Sequence, residues 1–185
     1  LRARAFDALE RYEEACRDYG EVIRLLPESD PLTSMGVYNS RGLAALELKR
    51  FEMALRDFNH VLKSSPTNLV AQIGRGLVFH FQGRHEEAIS VFSGVLEKHG
   101  NQPEALQYRG ASLVVLKRFR EAVKDLNRAA QISPGDSDVF YYRGVAHLGL
   151  ENRVQAQKDF RKSLQIDPES RWKSRIDTYL QDDSK

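Results

Sequence analysis

Four glycines, Gly42, Gly76, Gly110 and Gly144, recur at intervals of 34 residues, and an arginine precedes each of them: Arg41, Arg75, Arg109 and Arg143. Twelve positions after each glycine stands an alanine (Ala54, Ala88, Ala122, Ala156), and four further on a large apolar residue (Phe58, Phe92, Leu126, Phe160). A residue that breaks regular structure closes each unit: Pro66, Gly100, Pro134 and Pro168. A repeat of this length is one supersecondary unit that cannot bury its apolar face alone, so successive units must stack on one another.

Within a unit the apolar residues follow helical spacing twice. In the third complete unit Leu106, Leu113 and Leu116 mark a first helix. Lys117-Arg118-Phe119 turns, and Glu121 to Ile132 forms a second. Gly110 and Ala122 let the two helices approach closely, and a side chain at Gly110 would push them apart. Residues 1–29 read as a partial unit, in which Ala15, Tyr19 and Pro27 take the alanine, aromatic and proline roles. Residues 30–34 read as a loop insertion, since Glu28 to Ser34 has loop composition. Complete units then span 35–68, 69–102, 103–136 and 137–170. A closing helix occupies 171–181, with Trp172, Ile176, Tyr179 and Leu180 packed back on the last hairpin, and a short tail covers 182–185. Leu1 starts inside a helical pattern, so the chain is expected to be part of a longer array.

The period and the pattern Tyr38…Gly42…Ala54…Phe58…Pro66 resemble the tetratricopeptide repeat. The resemblance implies an all-α, right-handed α-solenoid with a C-terminal capping helix, and a protein-protein interaction scaffold or adaptor in place of an enzyme. It places the first helices of successive units on a concave groove that holds a protein or peptide partner. The groove positions are Asn39, Leu43 and Leu46; Ile73, Leu77, His80 and Phe81; Gln107, Tyr108, Ala111, Val114 and Val115; and Tyr141, Tyr142, Val145 and Leu148. Ile73, Leu77, Phe81, Tyr108, Tyr141 and Tyr142 are the expected anchors, because aromatic side chains give large contact area with a polar tip. Adjacent tyrosines point about 100° apart on a helix, so at least one of Tyr141 and Tyr142 is expected in the groove. A groove of this kind should bind with little dependence on salt.

Heat-shock chaperone tails ending in EEVD are gripped, in this family, by cations on three consecutive first helices. The matching positions here hold Asn39, Leu43, Gly74, Glu104 and Tyr108, or one unit later Ile73, Leu77, Tyr108, Asp138 and Tyr142. Neither set offers the cations a terminal carboxylate needs, which argues against that partner. The Arg-Gly arginines have a structural reading: Asp18, Asp57, Asp125 and Asp159 recur in one register of the second helices, with Val91 as the exception, and should pair with them. A second functional reading is a structural subunit of a larger assembly, for example a ciliary or transport one, packed through its convex face or its ends.

Composition narrows the remaining classes. With 28 basic and 26 acidic residues the net charge is +2 and the signs are interleaved, which does not suit nucleic acid. The stretch from Arg153 to Arg175 is somewhat richer in Lys and Arg, with a phosphate-binding patch as the minor alternative reading. No apolar run is long enough to span a bilayer, and one cysteine, Cys16, makes no internal disulfide, so a reducing, cytoplasmic setting is expected. No nucleotide-loop, zinc or nucleophile-elbow motif occurs, so no catalytic residue, metal or cofactor is expected. The partner's identity and the oligomeric state are not readable from these residues.

Overall fold

A computed structural model describes residues 11–25 and 31–181. The described residues form helices α1 (Tyr12–Leu25), α2 (Pro31–Glu47), α3 (Phe51–Ser64), α4 (Leu69–Phe81), α5 (His85–His99), α6 (Pro103–Val115), α7 (Phe119–Ile132), α8 (Ser137–Gly149), α9 (Arg153–Ile166) and α10 (Lys173–Gln181), and among them there is no strand. The fold is therefore the expected all-α array of helical hairpins with a closing C-terminal helix. The chain groups into two compact units, Leu1–Val91 and Phe92–Lys185. The readings placed on residues 1–10, 26–30 and 182–185 fall outside the described residues.

Close packing inside each hairpin follows from the repeated small residues. Ala54, Phe58 and Val61 lie at i, i+4 and i+7 on α3 and are fully buried, as one stripe of a helix should be. A Cβ at Gly42 would stand 2.7 Å from the Phe58 ring, one at Gly110 2.6 Å from Leu126 Cγ, and one at Gly144 2.6 Å from Phe160. The glycine is thus where one helix seats the large side chain of its partner.

The turn inside each hairpin is also repeated. Arg118 N–H donates to the Leu113 carbonyl at 2.8 Å and Lys117 N–H to that of Val114 at 3.0 Å, the paired bonds of a Schellman motif. The same two bonds recur at Lys49–Arg50, Gly83–Arg84 and Glu151–Asn152. The motif needs one residue with positive φ, and these are Lys49 (56°), Gly83 (76°), Lys117 (59°) and Glu151 (60°). Only one of the four is a glycine.

The expected arginine-aspartate pairs hold the hairpins a second time. Arg41 Nε and Nη2 donate to Asp57 at 2.8 and 2.7 Å, Arg109 to Asp125 at 2.7 and 2.7 Å, and Arg143 to Asp159 at 2.8 and 2.6 Å. Each aspartate is buried, and the bidentate fork satisfies both its oxygens. Where Val91 replaces aspartate, the Arg75 Nε is buried without a hydrogen-bond partner.

One expectation needs correction. Pro31 to Ser34, read as loop, form the first turn of α2. Proline is suited to the first helical position, because its φ is already helical and its missing N–H would be unpaired there anyway. Loop composition and a helix start share the same letters.

Candidate functional site

The expected groove residues divide by what packing leaves of them. In the first unit Ile73, Leu77 and Leu46 are buried, and so belong to the core and not to an accessible surface. His80 is also buried and meets Phe81 and His85 edge-on at 5.2 and 5.4 Å. Leu43 and Phe81 remain open, 40% and 48% exposed. Asn39 donates from Nδ2 to Asn68 Oδ1 at 3.2 Å, and its own carbonyl oxygen is buried without a partner.

In the second unit Ala111, Val114 and Tyr141 are buried, while Val115 is 52% exposed. Tyr141, expected as an anchor, instead stacks on Trp172 with ring centroids 4.2 Å apart and planes 3° from parallel. Its pocket also holds Ala156, Phe160 and Ile176, and Tyr142, Val145 and Leu148 pack against that cluster. The cause is the closing segment: Trp172, just before α10, and Ile176 on α10 pack against Tyr141 of α8. Tyr142 is half-buried and meets Trp172 edge-on at 5.5 Å.

Gln107 and Tyr108 do come together, in a cleft of about 410 Å³ between the first turns of α6 and α8. Pro103, Glu104, Ser133, Asp136, Asp138 and Val139 complete its walls. Pro103 at the start of α6 sets the helix entry, and Asp136 caps α8 by accepting from Asp138 N–H at 3.0 Å and Val139 N–H at 3.3 Å. Asp138 is held by Arg171 and by Trp172 Nε1–H at 2.8 Å. Glu104 has no charged partner among the described residues.

Burial governs the electrostatics of this cleft. Partial desolvation by the cleft pushes the Glu104 carboxyl above its usual range, although the residue is exposed at the rim. Asp136 is raised mainly by burial as well, against its backbone hydrogen bonds. Burial lifts the Tyr108 and Tyr142 hydroxyls to about 12, so both stay protonated donors at neutral pH. The cleft thus offers an aromatic wall, amide and hydroxyl donors, and one uncompensated carboxylate.

The carboxylates were not among the expected groove residues. A signal existed: Glu104 and Asp138 stand one period apart, at the positions where a chaperone-tail clamp would carry cations. Their presence also alters the expected indifference to salt. Among the described residues no group of three or more His, Cys, Asp or Glu is placed to hold a metal ion, and no helix is long and apolar enough to cross a membrane.

Residues 39–105 match a family model described as tetratricopeptide repeat. No curated protein matches the chain significantly. Among solved structures it is similar to MamA, residue 41 to the end, from Desulfovibrio magneticus RS-1: 22% identity over 80% of this chain and 86% of that one, TM-score 0.68. TTC0263, a thermophilic TPR protein of Thermus thermophilus, is 17% identical over 96% and 95% of the two chains, TM-score 0.76. YrrB, described as a TPR protein with an unusual peptide-binding site, is 21% identical over 95% and 88%, TM-score 0.68. At these identities the likeness is one of fold.

Proposed function

We propose that this chain, whose residues 39–105 match the tetratricopeptide-repeat model, is an interaction scaffold whose second unit takes an extended segment of a partner protein in the cleft between α6 and α8. The observation that carries this reading is the cleft itself, where Gln107 and Tyr108 stand beside Glu104, a carboxylate short of a partner. Glu104 stands exposed at the rim of the cleft with no charged partner among the described residues, so a cation can be placed directly against it. The segment sets a lysine or arginine there and an apolar side chain on Tyr108, while Gln107 bonds its backbone. In the first unit Leu43 and Phe81 are the accessible counterparts. With Cys16 a free, buried thiol, the setting proposed is cytoplasmic.

Fluorescence anisotropy with a labelled peptide alternating lysine and leucine, and its glutamate-leucine counterpart, tests the reading. The lysine peptide is expected to bind, to weaken on the order of tenfold with Tyr108→Ala, and to weaken with salt. Equal affinity of the lysine peptide for wild type and for the Tyr108→Ala, Glu104→Gln double variant would remove the site from this cleft.

A further inference from the structure

On α9, the second helix of the last hairpin, Val154, Lys158, Arg161 and Gln165 follow one another at i, i+4, i+7 and i+11, so they stand on a single helix face. That face lines a groove of about 730 Å³ floored by Phe140 and Arg143 of α8. Val154 is 76% exposed, far more than a valine that packs within its own hairpin. Lys162, on the same side, donates only to Gln165 Oε1 at 3.3 Å. Among the described residues no carboxylate pairs with Lys158, Arg161 or Lys162.

The one carboxylate in the groove is already committed. Asp159 receives both arms of Arg143, and Arg143 turns its remaining Nη1–H to Asn127 Oδ1 at 3.0 Å. Arg143 is therefore neutralised and lies over the Phe140 ring, 5.1 Å from its centroid. What remains is a floor without net charge, an exposed valine and three cations with nothing to balance them. Solvated lysines on a helix are ordinary. Cations that line one groove together with an exposed apolar side chain and a neutral aromatic floor are a composition matched by a partner.

We propose that this groove on the α8–α9 hairpin is a second docking surface, for an acidic segment of a partner protein that carries an apolar side chain among its glutamates or aspartates. The apolar residue fills the space over Phe140 against Val154, and the flanking carboxylates meet Lys158, Arg161 and Lys162. The charges decide the sign of the partner, and the apolar floor decides its class. A nucleic-acid backbone would use the cations but would leave Val154 and the floor unfilled, and three cations neutralise few phosphates. The surface is separate from the α6–α8 cleft and opposite to it in charge preference, so the two sites do not compete for one ligand.

The test uses the full chain and three labelled probes of equal length: a peptide alternating glutamate and leucine, one alternating glutamate and serine, and a single-stranded oligothymidylate. The glutamate-leucine peptide is expected to bind, and to lose at least tenfold in affinity with Lys158→Glu, Arg161→Glu, whose side chains are exposed. Val154→Ser, which leaves the charge unchanged, is expected to weaken it severalfold, and Tyr108→Ala to leave it unaltered. Melting curves of the α9 variants should overlay that of the wild type, which separates lost binding from lost structure. Failure of the glutamate-leucine peptide to bind overturns the proposal. So does undiminished affinity in the charge-reversed variant, or equal binding of the glutamate-serine peptide or the oligothymidylate.

Discussion

At the scale of single residues, the hairpins are held by a charge placed opposite a charge, and one rung is missing. Arg41, Arg109 and Arg143 each close a two-pronged bond on a buried aspartate, whereas Arg75 faces Val91 with its Nε unpaired. A buried polar group without a partner costs about 1–3 kcal/mol. Val91→Asp should recover part of that, about 1 kcal/mol, seen as a higher urea midpoint at unchanged slope; an unmoved or lower midpoint would mean that desolvating the new carboxylate outweighs the bond. Glu104 presents the opposite case. Its folded-state pKa lies above the usual value, so its contribution to stability is present in acid and is lost as pH rises through that folded pKa. Because the side chain is exposed and solvent screens it, Glu104→Gln is expected to raise the melting temperature only slightly at pH 7 and to make little difference below about pH 4. The same substitution should weaken the lysine peptide. A stability gain joined to a binding loss is what a residue kept for function produces.

At the scale of elements, the hairpin turn shows a requirement met in an unexpected way. Each Schellman turn demands a left-handed residue, and lysine or glutamate fills it in three of four cases. A side chain in that region costs about 1–2 kcal/mol that glycine does not, offset in part by the greater freedom glycine has when unfolded. Lys117→Gly is expected to stabilise the α6–α7 hairpin by somewhat under about 1 kcal/mol, measurable by thermal melting; a fall in melting temperature would show that the Lys117 side chain makes a contact worth more than the strain. The element that reshaped the candidate site is α10. Its stripe was legible in the sequence, with Ile176 now fully buried and Tyr179 stacked on Phe160 at 5.2 Å. Its effect on Tyr141 was not legible, because a repeat pattern describes what a unit offers to a generic neighbour and not what the last unit gives up to its cap.

At the scale of the whole chain, the period alone carried the fold: glycine, alanine and the large apolar residue share one register because each hairpin seats one side chain in one gap. The groove was less readable. Helical spacing says which side a residue faces but not how deep it lies, so Ile73 and Leu77 were expected as anchors and are core, while Leu43 and Phe81 on the first helices of the same unit stay open. The acidic wall of the cleft went unread because Asp136 and Glu104 resemble ordinary residues of a helix start. One packing detail has an optical consequence. Trp172 is the only tryptophan in the chain, lies flat on Tyr141, and donates its indole hydrogen to Asp138, a wall of the α6–α8 cleft. The protein therefore carries a built-in lamp wired to its own binding cleft. A ligand that draws Asp138 away from the indole should shift the emission of unlabelled protein, and Asp138→Asn should mute that response; a spectrum indifferent to saturating lysine peptide would place the ligand elsewhere.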